Sequence, residues 1–441
     1  MHPLVTSEHH GLSVSWKNWP TSSLRGVGRA PLAPRRGTDP ISVDVVPLVD
    51  LGSALRAAQG TDPAAITDVM QKLMSELGGT DVVVYLVDFA QTTLEPLPDR
   101  STHANVAHSE AVATTIAGRA FVDQRPVTAE RADGVRVWAP INEGSDRTGV
   151  LAATVPEATD EVLSACSELG LFAGYLIATL ARSTDLYNLH RRRRSLSLAA
   201  SMQWDLLPPL VLKTDRAAIA AVLEPAYDVG GDCFDYALND TALDLAVFDP
   251  VGHSIRSALI AALCIGSYRH DRREGHTLEQ MHAHLDTVMT REFPDHVFAT
   301  GQLVRIDLNT GIMSWTNAGH PVPMLVRGGQ VVKELECPPT TPWGLGHLIE
   351  PAGATTVAVE ALEPGDGVLF YTDGVVEAHR PGAEQFGSER LADLIGQHSS
   401  NQLEPEEILR HLVRAVIEHQ HDRLADDATL VLVQWNGPRP H

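Results

Sequence analysis

Four short apolar runs in this chain end or begin at a carboxylate, and that repetition restricts the fold more than any other feature. Val222, Leu223 and Ala226 lead into Asp228–Val–Gly–Gly–Asp232–Cys–Phe–Asp235, where two glycines allow a tight turn and an aspartate follows at once. Leu245–Ala–Val–Phe–Asp249 continues as Pro250–Val–Gly252–His253. Gly367–Val–Leu–Phe–Tyr–Thr–Asp373–Gly374 is the third run, and in Asp426–Asp427–Ala–Thr–Leu–Val–Leu–Val the acids precede the strand. Singly, each is an ordinary turn. Together they allow carboxylates at the ends of neighbouring strands to converge. Such a cluster repels itself unless compensated, and an all-oxygen donor set suits hard divalent cations such as Mg²⁺ or Mn²⁺.

The 441 residues are enough for two or three domains. A formal charge of −22 excludes a general nucleic-acid binder, which would need Lys and Arg against the phosphates. Cys166, Cys233, Cys264 and Cys337 are scattered, with no metal-binding spacing and no disulfide framework, so a cytoplasmic location is expected. No apolar run reads as a membrane span, and the N-terminus lacks the apolar centre of a signal peptide.

Residues 1–44, rich in Pro, Gly, Arg and Ser, read as a disordered tail. From 45 to 182 the order is helix, strand, helix, hairpin, helix. Ile66, Val69, Met70, Leu73, Met74 and Leu77 keep helical spacing behind a cap at Asp62. A strand follows at Val82–Val87, then a helix over 108–117. Val135–Ile141 and Thr148–Val155 flank a polar turn as a hairpin. A helix starting near Glu161 reads as continuous to Leu206, buried in its first half, with Arg191–Arg194 on a solvated linker face over 183–209. Leu189, Leu196 and Gln203 give it a short, imperfect heptad seam. Beyond 210, many short β-rich runs with a few helices imply an α+β fold: an antiparallel two-sheet sandwich with helices outside.

Two resemblances follow. Gly118–Arg–Ala–Phe, Val137–Trp–Ala–Pro–Ile and Gly149–Val–Leu–Ala–Ala resemble segments of GAF-type sensory domains. That implies an α/β sensory or dimerisation domain over 45–182, a homodimer, and a small-molecule ligand as an open option. Residues 200–436 resemble PPM-type (type 2C) metal-dependent protein phosphatases of the SpoIIE-like sporulation and stress-response branch. The motifs are Val229–Gly–Gly–Asp232, Asp249–Pro–Val–Gly–His253, Tyr371–Thr–Asp–Gly–Val–Val–Glu–Ala378 and Asp426–Asp–Ala–Thr–Leu430. Thr316–Asn–Ala–Gly–His–Pro321, Leu362–Glu–Pro–Gly–Asp366, Phe386–Gly–Ser–Glu–Arg–Leu391 and the lead-in Gln203–Trp–Asp–Leu–Leu–Pro208 also match.

The phosphatase resemblance, over 210–437, implies two Mn²⁺ or Mg²⁺ ions. Asp232 and Asp249 would be central ligands, Pro250 would offer its backbone carbonyl, and Asp373 and Asp426 would complete the second ion, with Asp426 favoured over Asp427. A metal-bridging hydroxide would then attack phosphoserine or phosphothreonine directly, the two ions standing about 3.5–4 Å apart. The implied substrate is a phosphorylated regulatory protein, an anti-sigma-factor antagonist. An inactive metal-binding scaffold that sequesters such a regulator is the alternative. A nucleotide cyclase, suggested by Gly–Gly–Asp, fails because Cys233 follows and the later aspartates have no place in it.

Other residues carry weaker expectations. His253 is a candidate acid or phosphate contact or else makes a structural hydrogen bond, Glu377 either backs the metals or starts a helix, and His320 and Cys233 are structural. Asp366, in Pro–Gly–Asp–Gly, reads as a plain turn. Ser254 replaces a customary glycine and would be costly if its φ is positive.

Overall fold

Strands here are apolar on both faces wherever layers cover them twice, as in Ala217–Glu224 and Ala428–Trp435. The computed structural model describes residues 51–98, 107–227, 230–252, 254–293, 297–348, 355–379, 384–399, 404–421, 424 and 426–439. The expected tail at 1–44 lies outside them, as do Asp228, Val229 and His253.

The N-terminal half runs α1 (Leu51–Ala58), α2 (Ile66–Ser75), β1 (Thr80–Val87), β2 (Thr93–Pro96), β3 (Glu110–Ala111), α3 (Ile116–Asp123), β4 (Val127–Arg131), β5 (Gly134–Glu143), β6 (Asp146–Val155) and α4 (Asp160–Ala181). Its strands form one antiparallel sheet, ordered β3-β2-β1-β6-β5-β4. Asp62 accepts the Ala64 N–H at 2.9 Å, capping the turn before α2. Met70, Leu73, Leu169 and Ala173 pack on one side of the sheet. Tyr85, Phe121 and Trp138 fill the other. The helix expected over 108–117 is displaced: Thr115 accepts the Gly118 N–H at 3.0 Å and starts α3 there, after the short β3.

Three expectations for the linker are corrected. The helix does not run to Leu206 but breaks into α4, α5 (Leu186–His190) and α6 (Leu198–Leu206). Thr184 Oγ1 accepts the Leu186 N–H at 3.1 Å and Ser197 Oγ the Ala200 N–H at 3.0 Å, so both restart the chain with new caps. The heptad seam is therefore not on one helix. Nor is the arginine run merely solvated. Arg191 Nε donates to the Val87 carbonyl at 2.9 Å, and its guanidinium lies 4.7 Å from the Phe89 ring. Ahead of the linker, α4 is long and apolar enough to cross a membrane, by length and composition alone. Its inner face packs on β5, while Leu171 and Tyr175 on its outer face are exposed.

The C-terminal half holds β7 (Val211–Lys213), β8 (Ala217–Glu224), β9 (Cys233–Leu238), β10 (Ala242–Pro250), α7 (Ile255–Glu274), α8 (Leu278–Glu292), β11 (Ala299–Asp307), β12 (Ile312–Ala318), β13 (Met324–Arg327), β14 (Gln330–Glu334), β15 (Ala358–Ala361), β16 (Gly367–Tyr371), α9 (Asp373–Val376), α10 (Ser388–Ser399), α11 (Pro405–His419) and β17 (Ala428–Trp435). Two antiparallel sheets, β15-β12-β11-β10-β9 and β14-β13-β16-β17-β8-β7, face each other across Phe234, Val304, Trp315, Phe370 and Val431. On the outside, α7 and α8 cover the first sheet through Phe248, Cys264 and Met281. The helices α10 and α11 cover the second through Leu369, Leu412 and Leu430. The four layers match the expected sandwich, and they bring the end of β8, the start of β9, the ends of β10 and β16 and the start of β17 to one edge.

Candidate metal centre

The edge is organised by Asp427. Its carboxylate accepts the N–H groups of Gly230 (2.8 and 2.6 Å to its two oxygens), Gly231 (2.6 Å) and Asp232 (3.2 Å). Successive backbone N–H groups converging on one anion make a nest. The glycines are needed for that approach: a Cβ on Gly230 would stand 2.9 Å from Asp427 Oδ2, and one on Gly231 2.8 Å from Ser257 Cβ. Gly374 likewise lies directly against the Asp427 carbonyl.

Asp232, 3% exposed, follows this turn. Its Oδ2 accepts the Thr372 hydroxyl at 2.6 Å, and Thr372 Oγ1 accepts the Thr429 N–H at 3.0 Å. Its carbonyl accepts Gln203 Nε2 at 2.7 Å, so the lead-in helix α6 holds the aspartate from behind. Asp249, next to last in β10, lies opposite Thr300, and Pro250, which ends the strand, lies opposite Ala299. The Pro250 carbonyl is 3.2 Å from where a Gly231 Cβ would be, so it borders the same turn. Asp373 opens α9, and Glu377 lies one turn later, its N–H donating to the Asp373 carbonyl at 2.7 Å. Asp426 is exposed, and its Oδ1 accepts the Asp427 N–H at 2.9 Å.

Burial and neighbouring carboxylates raise the pKa of Asp232, Asp249 and Asp373. Burial pushes Asp232 well above the ordinary value, and Asp249 and Asp427 push it further. Asp249 is pushed up to about 8 by burial and then by Asp373, Asp426 and Asp427. Asp373 is raised by burial, Asp426 and Glu377. Asp427 is raised by burial against the opposing pull of its backbone N–H donors. What acts on Asp232, Asp249 and Asp373 is more negative charge, eased only by hydroxyl and backbone donors. An all-carboxylate set at strand ends fits hard divalent cations. Among the described residues, no three carboxylate, histidine or cysteine side chains form a closed ion cage. The fit therefore rests on the donors' chemistry and placement.

Neighbouring residues sort differently. His320 Nδ1 lies 2.9 Å from Thr300 Oγ1, and burial lowers its pKa to about 3. Its backbone is fixed by Asn317 on both sides, at 2.7 and 2.8 Å, which makes it a neutral structural group. Cys233 is buried and its thiol is raised far above the ordinary value by burial, hence unreactive. Ser254 has φ +72° and ψ −152°, so the cost expected of a positive φ applies. Asp366 is not a plain turn. It is 1% exposed and accepts Arg327 Nε at 2.8 Å, Arg327 Nη2 at 2.6 Å and the Glu363 N–H at 2.7 Å. Thr372 and Thr300 went unnoticed in the sequence. Thr372 was visible only as the residue before Asp373, and Thr300 only as the cross-strand partner of Asp249.

Residues 239–436 match the family model described as Stage II sporulation protein E (SpoIIE). Protein IcfG of Synechocystis sp. is 26% identical over 273 residues, 55% of this chain and 42% of that protein. Phosphoserine phosphatase RsbP of Bacillus subtilis is 24% identical over 250 residues, 55% of this chain and 58% of that protein. This chain thus spans about half the length of these relatives. Among solved structures, the RsbU and RsbW domains of Rv1364c from Mycobacterium tuberculosis share 27% identity at a TM-score of 0.43, covering 51% of this chain and 61% of that one.

Proposed function

We infer that the C-terminal half, which resembles SpoIIE-type phosphatases, is a metal-dependent phosphatase acting on phosphoserine or phosphothreonine of a regulatory protein. The observation that carries this is the gathering of Asp232, Asp249 and Asp373 at one sheet edge, where each is raised by burial and then by neighbouring carboxylates. In this reading Asp232, Asp249, the Pro250 carbonyl, Asp373 and Asp426 hold two Mn²⁺ or Mg²⁺ ions. Asp427 is left out because its oxygens already accept three backbone N–H groups. Its role is to shape the turn. When bound, the ions supply positive charge against the phosphate and acidify the attacking water. Thr372 fixes the Asp232 carboxylate through one oxygen and leaves the other for coordination. His253 and Glu377 remain candidates for contact with the phosphate or support of the ligands.

The finer parts of the reading have their own supports. An anti-sigma-factor antagonist as substrate follows from the family resemblance. A GAF-like regulatory role for the N-terminal half is supported by its antiparallel sheet with helices on both faces, and a small-molecule ligand there stays an option. Homodimerisation is supported by the exposed Leu171 and Tyr175 on α4. A cytoplasmic location is supported by four free, buried cysteines.

Turnover of a phosphoserine protein with Mn²⁺, and again in excess EDTA, tests the core claim. Activity is expected only with the ion, and full turnover in EDTA would sink it. Binding of Mn²⁺ with no turnover on any phosphoprotein would favour the inactive scaffold. An intact phosphorylated antagonist should show a higher kcat/KM than a short phosphopeptide or p-nitrophenyl phosphate. Equal values would leave a broad-range phosphatase.

A further inference from the structure

The turn after β1 reaches the segment that leads into Gly230. Asp88 on that turn is 1% exposed. Its Oδ1 accepts the N–H groups of Thr92 at 2.7 Å and Thr93 at 2.8 Å, and its Oδ2 accepts the Tyr227 hydroxyl at 3.2 Å. The Tyr227 oxygen in turn accepts the Arg193 N–H at 3.2 Å. The Phe89 ring meets Tyr227 edge-on at 6.4 Å and Trp204 at 5.1 Å. On the backbone side, the Trp204 indole donates to the Ala226 carbonyl at 2.8 Å, and the Ser197 N–H donates to the Tyr227 carbonyl at 3.0 Å. Phe89, Ala226 and Tyr227 form a small cluster apart from the sandwich core.

Tyr227 stands three positions before Gly230, at the entry to a glycine turn whose other side is held by Asp427. Glycines contribute no packing of their own, so the turn takes its geometry from what holds its flanks. We propose that Tyr227 is a positioning residue for Asp232, and that Asp88 and Phe89 set its place. The N-terminal half would thus take part directly in ion binding at the acidic turn, by contact rather than only through the linker. The inference rests on the metal-dependent reading above.

The test is calorimetric titration of Mn²⁺ into the full chain and its variants, with thermal melts alongside. Tyr227→Phe removes the hydroxyl that Asp88 and Arg193 share. Phe89→Ala removes the ring from the N-terminal side, with Phe89→Leu as the substitute if it does not fold. Loss of groups that support a metal ligand costs roughly 10–100-fold in affinity. Each variant is therefore expected to weaken Mn²⁺ binding about tenfold, and the double variant little more than the worse single one, because both act through the placement of one residue, Tyr227. Mn²⁺ affinity within twofold of the parent in both variants, whatever the melting temperature does, would overturn the proposal. Fully additive losses would overturn it too. If the parent binds no Mn²⁺, the metal-dependent reading itself fails and this inference falls with it. Intact parent binding with unaffected variants removes this inference alone.

Discussion

Asp232 and Asp235 are three residues apart, both almost fully buried, and opposite in what surrounds them. Asp235 accepts Arg269 at 2.7 Å and Arg272 at 2.9 Å. Asp244 accepts Arg305 at 2.6 Å, and Asp366 is forked by Arg327. Asp232 has a threonine hydroxyl and two more carboxylates. Burial of an aspartate is therefore not the signature of the site. A buried carboxylate with its own arginine holds the fold together, whereas one whose neighbours are also carboxylates stores repulsion that a cation can relieve.

The sharpest break in this comparison is expected from Asp232→Asn against Asp235→Asn. Loss of a metal ligand should cost turnover on the order of a thousandfold, since an ion contributes several kcal/mol to the transition state. The metal-free melting temperature should hold or rise, because one repelling charge is gone. Asp235→Asn should do the reverse, keeping most turnover per folded molecule but losing about 3 kcal/mol by leaving two arginines without their partner. Equal activity losses in the two variants would erase the distinction. For Asp366→Asn a smaller loss is expected, ~1–2 kcal/mol in a denaturant melt, because the Arg327 side chain is more than a third exposed.

Titration sharpens the comparison further. Asp249 is raised to about 8, Glu224 to about 7 and Asp146 to about 6, all by burial first. Each group binds its proton more tightly folded than unfolded, so it favours folding at low pH and loses that contribution as pH rises through its folded pKa. The metal-free protein should therefore melt higher at pH 6.5 than at pH 8. Below 6.5 the rise should continue but be partly offset, because His320 at about 3 and His282 at about 4 are held neutral by burial and the unfolded chain takes up their protons. With Mn²⁺ bound the upper limb should become shallower, since coordination displaces the Asp249 proton. Melting temperatures that fall monotonically from pH 8 to 6.5 without metal would contradict the raised carboxylates.

The smallest expected effect is at Ser254. Strain at this φ is of order 1–3 kcal/mol, and Ser254→Gly offsets part of it with a more flexible unfolded chain. A net gain of about 1 kcal/mol in a denaturant melt is expected. A loss would mean that the serine side chain makes up for its backbone.

What the sequence determined by itself is what depends on neighbours along the chain. Residue spacing marked α2, the β5–β6 hairpin and most strands of the sandwich, because periodicity reports which face is buried. The acidic turns were legible because a carboxylate at the end of an apolar run is conspicuous wherever it folds. Tertiary structure decided what each carboxylate meets. Asp426 and Asp427 are adjacent and chemically identical, yet only the approach of the Gly230–Gly231 backbone makes Asp427 the anion of a nest. Asp366 looked like a turn until Arg327, on a neighbouring strand, closed on it. The linker looked like one helix because its residues tolerate one, but packing of Arg191 on Phe89 and of Gln203 behind Asp232 pins its pieces in separate places. Helix propensity amounts to tenths of a kcal/mol per residue, which a few buried contacts readily outweigh.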